Sequence, residues 1–174
     1  MTQKVRRVTN VNHFRSVLLS MFLMCLAAPV LAQGANVAFG TIRQDTKLPV
    51  EVTADNLSVD QETGTAIFSG NVLIGQGDLR LSATRVLVVY RAQNKGIARL
   101  EATGGVTLVS GEDAAESERA DYNIDTGTIV MSGNVLLAQG PSALSADKMS
   151  VRLSDGTAQM SGRVRTILQT GDDN

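Results

Sequence analysis

The sequence contains a long internal repeat, and this repeat restricts the folds available to the chain more than any other feature. Residues 63–77 read TGTAIFSGNVLIGQG and residues 126–140 read TGTIVMSGNVLLAQG, so ten of the fifteen positions are identical at an offset of 63 residues. Further along, Leu81-Ser82-Ala83 matches Leu144-Ser145-Ala146 at the same offset. Repetition at a fixed period indicates that one supersecondary unit is used several times and packs against copies of itself.

A shorter period lies inside each half of this repeat. Gly70, Gly104, Gly133 and Gly162 occupy equivalent positions and recur at intervals of 34, 29 and 29 residues. Short runs of Val, Leu and Ile between them are separated by Gly, Asp, Asn, Ser and Thr, a composition typical of antiparallel strands joined by tight turns. No window has a convincing helical period. The sequence therefore predicts an all-β fold, in which one stacked, bent sheet fits better than two unrelated domains.

Alternation along the repeated strands assigns two faces to the sheet. In residues 100–108, Leu, Ala, Gly, Val and Leu alternate with Glu, Thr, Gly and Thr. This pattern indicates one buried face and one solvated face. The recurring glycine would either leave room on the buried face or let the strand bend sharply at the same level of every repeat. The inward positions give the candidate binding residues Phe68, Val72, Ile74, Leu100, Val106, Leu108, Met131, Val135, Leu137, Met160 and Val164.

Two interpretations of this inward face follow from its composition, which is aliphatic, rich in Met and contains one aromatic residue. The first is a filled hydrophobic core. The second is an open apolar trough that carries acyl chains, because each buried methylene group contributes about 0.8 kcal/mol without any specific polar contact. The pattern does not decide between them.

The first 32 residues have the pattern of a cleaved secretory signal peptide. A basic leader precedes an apolar run from Val17 to Ala28, and Val30-Leu31-Ala32 provides small residues before the expected cut. The run is shorter than the roughly 20 residues needed to span a bilayer. Cleavage would remove four basic residues and no acidic ones, which changes the net charge from −1 to −5. It would also remove Cys25 and His13, the only cysteine and histidine of the chain.

An exported chain without Cys or His has few routes to catalysis. Disulfides, thiol nucleophiles, Cys/His zinc sites and histidine acid–base chemistry are excluded. The acidic balance argues against nucleic acid as a partner. Two acidic clusters, Asp55 with Asp60 and Glu62, and the acidic residues of segment 112–118, are candidates for paired carboxylates, but both lie in turn-like sequence. We therefore expect no enzyme activity, no metal site and no cofactor.

The repeated pattern Thr-Gly-Thr, Ser-Gly-Asn-Val-Leu, Gln-Gly and Leu-Ser-Ala-Asp, placed after a signal peptide, resembles the OstA-like family. The resemblance covers residues from Pro49 to Leu168. It implies a twisted, open antiparallel sheet folded into a V-shaped β-jellyroll. It also implies a periplasmic protein that binds the lipid A part of lipopolysaccharide in its apolar interior and carries it between the inner and outer membranes.

The same resemblance implies partners that pair edge to edge. These are an inner-membrane-anchored transport component, the N-terminal domain of the outer-membrane translocon, and further copies of the chain joined head to tail. Open sheet edges suit this role, because a partner strand extends the sheet. We expect the N-terminal edge near residues 37–52 and the C-terminal edge near residues 158–169. Basic residues at the rim would meet phosphates or be ordinary solvated positions: Arg80, Arg85, Arg91, Lys95, Arg99, Lys148, Arg152, Arg163 and Arg165.

The expected organisation has four parts. Residues 1–32 are a cleaved signal peptide, residues 33–47 carry a possible edge strand near Val37 to Ile42, residues 48–169 form the OstA-like β-jellyroll, and residues 170–174 form a disordered tail. Two alternative functions remain open at this point. One is a structural β-repeat protein without cargo. The other is the membrane-anchored relative from the same transport system, in which residues 1–32 would be retained.

Overall fold

The computed structural model describes residues 35–39, 47–92 and 96–167. In these ranges the chain forms eleven β-strands and no α-helix, so none of the described residues belongs to a helix that could span a membrane. The strands are β1 (Ala35–Ala38), β2 (Glu51–Thr53), β3 (Asn56–Asp60), β4 (Thr65–Gln76), β5 (Leu79–Tyr90), β6 (Ile97–Ser110), β7 (Asp113–Asn123), β8 (Thr128–Gln139), β9 (Ser142–Arg152), β10 (Thr157–Ser161) and β11 (Arg165–Ile167).

All eleven strands belong to one antiparallel sheet in the order β1-β10-β9-β8-β7-β6-β5-β4-β2. Near each end of the sheet, two short strands share one long neighbour. β2 and β3 pair with different parts of β4, and β10 and β11 pair with different parts of β9. The sequence repeat corresponds to the hairpins β4–β5 and β8–β9. The prediction of a single open antiparallel sheet built from repeated strand–turn units is confirmed.

A row of β-bulges crosses the sheet at the level of the recurring glycines. The register shifts between Ser69 and Val72 in β4, between Thr103 and Val106 in β6, and between Ser132 and Val135 in β8. The bulged pairs have positive φ and form what we call the bulge row: Gly70–Asn71, Gly104–Gly105, Gly133–Asn134 and Gly162–Arg163. A bulge bends its strand and increases the local twist. These bulges therefore act at the same level and divide the sheet into two halves.

The two halves fold over each other. The Tyr122 hydroxyl of β7 donates to Gln76 Oε1 of β4 at 2.6 Å, although two strands separate β4 from β7 in the sheet. Through the register, Gln76 is level with Leu79 of β5, whereas Tyr122 is level with Val88. In a flat sheet those two levels of β5 would lie about 30 Å apart at about 3.3 Å per residue. The hydrogen bond therefore requires a sheet creased along the bulge row, with its apolar faces turned toward each other.

This crease corrects the first interpretation of the recurring glycines. Gly104 and Gly162 are exposed, while Gly70 and Gly133 are partly exposed, so the glycines do not make room in the interior. A Cβ atom added to Gly133 would lie 2.8 Å from Glu118 Cβ. The glycine is needed because the bulge requires a positive φ and brings the neighbouring strand close to its Cα. Bending, the second interpretation, is what the structure shows.

Two further expectations differ from the structure. The N-terminal edge was expected near residues 37–52, but β1 pairs with β10 at the opposite end of the sheet, and only β2 and β3 form the edge beside β4. The acidic residues of segment 112–118 were expected in turn-like sequence, but Asp113, Glu116 and Glu118 lie within β7. The signal peptide and the tail at 170–174 lie outside the residues that the structure describes, as does the part of the expected N-terminal strand beyond Phe39.

Candidate functional site

The predicted inward residues lie together in the interior of the folded sheet. Leu108, Met131, Leu137 and Met160 are fully buried, and Phe68 is partly buried against the same cluster. Ten of the eleven predicted residues are placed in this way: Phe68, Val72, Ile74, Leu100, Val106, Leu108, Met131, Val135, Leu137 and Met160. The bulges do not disturb their pattern, because the inward positions of β4, β6 and β8 keep an even spacing across the extra residue.

Val164 is the exception, and its predicted inward placement is wrong. Its side chain is 38% exposed. β10 ends at Ser161, and the chain then passes through Gly162 (φ 76°) and Arg163 (φ 44°) before β11 begins. In the other repeats the strand resumes its alternation after the bulge. Here the bulge separates two short strands, and the residues after it are exposed.

The strands β5, β7 and β9 contribute about as many buried residues to the interior as β4, β6, β8 and β10. No inward residue was predicted on β5, β7 or β9. In β5, Leu81 and Ala83 face inward before the bulge level and Val86 faces inward after it, so the parity changes along the strand. β7 and β9 change parity in the same way. Reading each half of these strands separately would have found the buried residues: Leu79, Leu81, Ala83, Val86, Val88, Ala115, Ala120, Tyr122, Leu144, Ala146, Met149 and Val151.

The interior is almost entirely apolar. In the part of the chain that the structure describes, the buried polar residues are Gln76, Ser110 and Ser117, and no charged side chain is buried. Tyr122 is 2% exposed, and burial raises the pKa of its hydroxyl to about 12, although its hydrogen bond to Gln76 acts in the opposite direction. A phenol that stays neutral up to that pH suits an uncharged surrounding. The interior is therefore apolar and contains no charged side chain of the described residues.

The two repeat-equivalent glutamines join the halves of the sheet at its open rim. Gln76 accepts the Tyr122 hydroxyl and donates through Nε2 to Leu48 O at 2.9 Å. Gln139, at the same position in the second repeat, donates to Ala38 O at 2.7 Å. Both glutamines thus bind backbone carbonyls of the N-terminal segment. The repeated Gln-Gly did not predict this role, for which the shared spacing was the available signal in the sequence.

Carboxylates hold the outer side of the bulge row. Asp55 accepts from Asn71 Nδ2 at 2.9 Å, Glu118 accepts from Asn134 Nδ2 at 2.7 Å, and Asp147 accepts from Arg163. Each acidic residue precedes its partner by 16 residues. In the second unit Thr84 takes this place and donates to Gly104 O at 2.6 Å. These acidic residues therefore stabilise bulges, and the constant spacing was a second signal that the sequence offered.

The basic residues of the described ranges lie outside the interior, and several are paired with acids, whereas Lys95 lies outside the described residues. Arg152 bonds Asp155 at 2.6 Å, and Arg163 bonds Asp147 at 2.6 Å. Arg91 pairs with Asp125, and Arg99 pairs with Glu101. Hydrogen bonds from Thr157, together with Arg152, lower the pKa of Asp155 to about 2. Within the described ranges, no group of three or more His, Cys, Asp and Glu residues is arranged to hold a metal ion.

Comparison with known protein families gives a match over most of the folded region. A family model described as LptA/(LptD N-terminal domain) LPS transport protein matches residues 51–165. An uncharacterised protein of Rhizobium meliloti is 30% identical over 113 residues, which is 61% of this chain and 61% of that protein. The lipopolysaccharide export system protein LptA of Haemophilus influenzae is 32% identical over 79 residues, 45% of this chain and 44% of that protein. The chain therefore spans between 44% and 61% of the length of these relatives.

A solved structure has the same fold. The crystal structure of LptH, described as the LptA homologous periplasmic component of the lipopolysaccharide transport device of Pseudomonas aeruginosa, superimposes with a TM-score of 0.64 at 15% identity. The match covers 72% of this chain and 99% of LptH. It confirms the predicted β-jellyroll architecture.

Proposed function

The chain belongs to the LptA/(LptD N-terminal domain) LPS transport protein family, and from this membership we propose that it is a periplasmic lipopolysaccharide-binding transport protein. In this role it bridges the inner and outer membranes during outer-membrane assembly and holds the acyl chains of lipid A in its interior. It is a carrier, and it performs no catalytic step.

The observation that supports this proposal is the continuous apolar interior. Side chains from β4 to β10 contribute to one cluster that runs across the sheet, and the described residues place no charge inside it. Each methylene group of an acyl chain that enters such a surface contributes about 0.8 kcal/mol. Burial of apolar surface, rather than specific polar contacts, therefore holds a ligand with several acyl chains. The proposed binding residues are the ten inward ones named above.

Acyl chains enter only if the halves of the sheet separate. Leu108, Ile129, Met131 and Leu137 are inaccessible to solvent, so the interior is packed rather than open. The bulge row supplies the hinge for separation, because the backbone there already has its ladder interrupted. The polar contacts that must break lie at the rim, where Gln76 meets Tyr122 and Gln139 meets Ala38, and contacts with the acyl chains must replace the apolar packing between the halves.

The edges of the sheet fit the proposed partners. β3 is exposed along its whole length, and Leu57 and Val59 on this strand are 57% and 59% exposed. At the other end β11 is also fully exposed. Unpaired strand edges accept a strand from another chain. We propose that an inner-membrane-anchored component and the N-terminal domain of the outer-membrane translocon pair at these two ends. Copies of the chain would join head to tail, a contact that does not close on itself.

Depletion of the protein in its native cell tests this function. Newly made lipopolysaccharide should fail to reach the cell surface and should accumulate at the inner membrane. Normal delivery to the surface would refute the transport role. It would favour the alternative of a structural protein with a filled core, which the tight packing of the interior would also suit. N-terminal sequencing of the exported protein tests its location, because a retained Met1–Ala32 segment would instead identify a membrane-anchored relative.

A further inference from the structure

The N-terminal segment contributes one side chain to the interior. Phe39 is 2% exposed, and among the residues that the structure describes it is the only buried core residue that precedes β4. Its backbone N–H donates to Gly156 O at 2.8 Å and so continues the ladder between β1 and β10. Residues 35–39, which we call the plug, therefore place an aromatic ring between the halves of the sheet at its β10 end.

The plug is a weakly anchored element that reaches the interior. β1 has four residues and pairs with one neighbour, β10, whereas each of the strands β4 to β9 lies between neighbours on both sides. Across the rim it is held by the hydrogen bond from Gln139 Nε2 to Ala38 O. Val37 is only partly buried. Short elements with few neighbours open at lower cost than the centre of a sheet.

We propose that residues 35–39 form a displaceable plug that closes the β10 end of the interior and leaves when an acyl chain enters. This inference rests on the proposed function, since it concerns how the same interior is filled. The Phe39 ring occupies apolar space that an acyl chain would take, so the two compete. When β1 leaves, it also uncovers the edge of β10, which lies beside β11 at the end of the sheet where we propose that a partner strand pairs. Ligand entry and exposure of this edge are then coupled, and each favours the other.

A reversible covalent staple tests the plug. Because Phe39 and Gly156 form a hydrogen-bonded pair, the alternation of antiparallel ladders makes Asn36 and Gln159 a non-hydrogen-bonded pair, with Cα atoms about 4.5 Å apart. That spacing suits a disulfide, and both side chains are exposed. The variant is the full chain with Asn36→Cys and Gln159→Cys, together with Cys25→Ser to remove the native thiol.

The matched control is a staple in the middle of the sheet. Ile124 N–H donates to Ala98 O at 3.1 Å, so by the same alternation Thr103 and Arg119 form a non-hydrogen-bonded pair between β6 and β7. The control variant carries Thr103→Cys, Arg119→Cys and Cys25→Ser. It adds a disulfide to the same sheet without touching the plug.

Binding of fluorescently labelled lipopolysaccharide is measured by anisotropy, first with each staple oxidised and then with dithiothreitol. The plug staple should weaken binding at least tenfold, reduction should restore it, and the control staple should have no such effect. Equal binding by the oxidised and reduced plug variants would overturn the inference while leaving the proposed function intact. Failure of the wild-type and reduced proteins to bind would overturn both.

Hydrogen exchange of the unmodified chain gives a second, independent readout. Addition of lipopolysaccharide should increase amide exchange at Val37 and Phe39 several-fold, because by the alternation of the ladder these are the amides of residues 36–39 that donate to β10. Amides in the centre of β6 and β7 should keep their protection. Unchanged or increased protection of the Val37 and Phe39 amides in the bound protein would contradict a plug that leaves.

Discussion

Gly133→Ala tests whether the bulge row depends on glycine for both its backbone angle and the close approach of the next strand. Gly133 has a φ of 84°, a region that costs an L-residue roughly 1–2 kcal/mol. The added Cβ would also lie 2.6 Å from Glu118 Oε2 and 2.8 Å from Glu118 Cβ. The carboxylate can rotate away, but the Cβ of Glu118 is fixed by the β7 backbone. Overpacking of this kind costs about 1–3 kcal/mol.

Gly105→Ala is the matched control, because it isolates the backbone contribution. Gly105 lies in the same row with a φ of 78°, and an added Cβ there would meet nothing within 4 Å. We therefore expect a loss in unfolding free energy of roughly 1–2 kcal/mol for Gly105→Ala. For Gly133→Ala we expect about 2–5 kcal/mol, the sum of the backbone and packing costs.

The assay is equilibrium urea unfolding followed by far-ultraviolet circular dichroism. The two variants should share the slope of the wild type and differ in midpoint. Equal losses for Gly105→Ala and Gly133→Ala would show that the close approach of Glu118 carries no cost. A loss below about 0.5 kcal/mol for both, typical of ordinary surface positions, would refute the role of positive φ in the row.

Three further predictions follow from particular side chains. Burial raises the pKa of Tyr122 in the folded protein to about 12, above its ordinary value of 10.0. The buried neutral hydroxyl therefore contributes fully to the free energy of unfolding below pH 10, and this contribution is lost as the pH rises toward 12. Urea titrations should show wild type losing up to about 3 kcal/mol more than Tyr122→Phe over that range, and parallel curves would contradict this. Arg163 lowers the folded pKa of Asp147, so acid should destabilise wild type more than Asp147→Asn as the pH falls below 4, measured by thermal melting; identical pH profiles would be contrary evidence. Met160→Ala should lower the free energy of unfolding by about 2–5 kcal/mol, and Val164→Ala should lower it by less than about 0.5 kcal/mol. Similar losses for the two variants would indicate that Val164 is buried after all.

The sequence predicted β4, β6 and β8, which carry the recurring glycine, better than the strands between them. In β4, β6 and β8 the extra residue of each bulge preserves the even spacing of inward residues, so simple alternation placed Val72 and Met131 correctly. In β5 the parity changes between Ala83 and Val86, and a single alternating pattern fails across that point. The failure at Val164 has a related cause, because the fourth bulge is followed by a new strand instead of a continuation.

Pairing between distant segments was beyond what the pattern contained. Alternation near Val37 indicated a strand, but β1 pairs with β10, which is more than a hundred residues away in the chain. Nothing in a four-residue strand specifies which end of an open sheet it joins, because contacts such as the hydrogen bond from Gln139 to Ala38 O and the burial of Phe39 form only in the folded protein. The edge prediction was therefore wrong for the N-terminal strand.

The central claim is that lipopolysaccharide binds the inward face of the creased sheet. Site-specific photo-crosslinking in the native cell measures this directly. A photo-crosslinker at Phe68, Val106 or Met131 should capture lipopolysaccharide, whereas one at Thr107 or Gln159, on the outward face, should not. Equal capture from both faces, or capture from the outward face alone, would contradict the assignment of the interior as the binding surface.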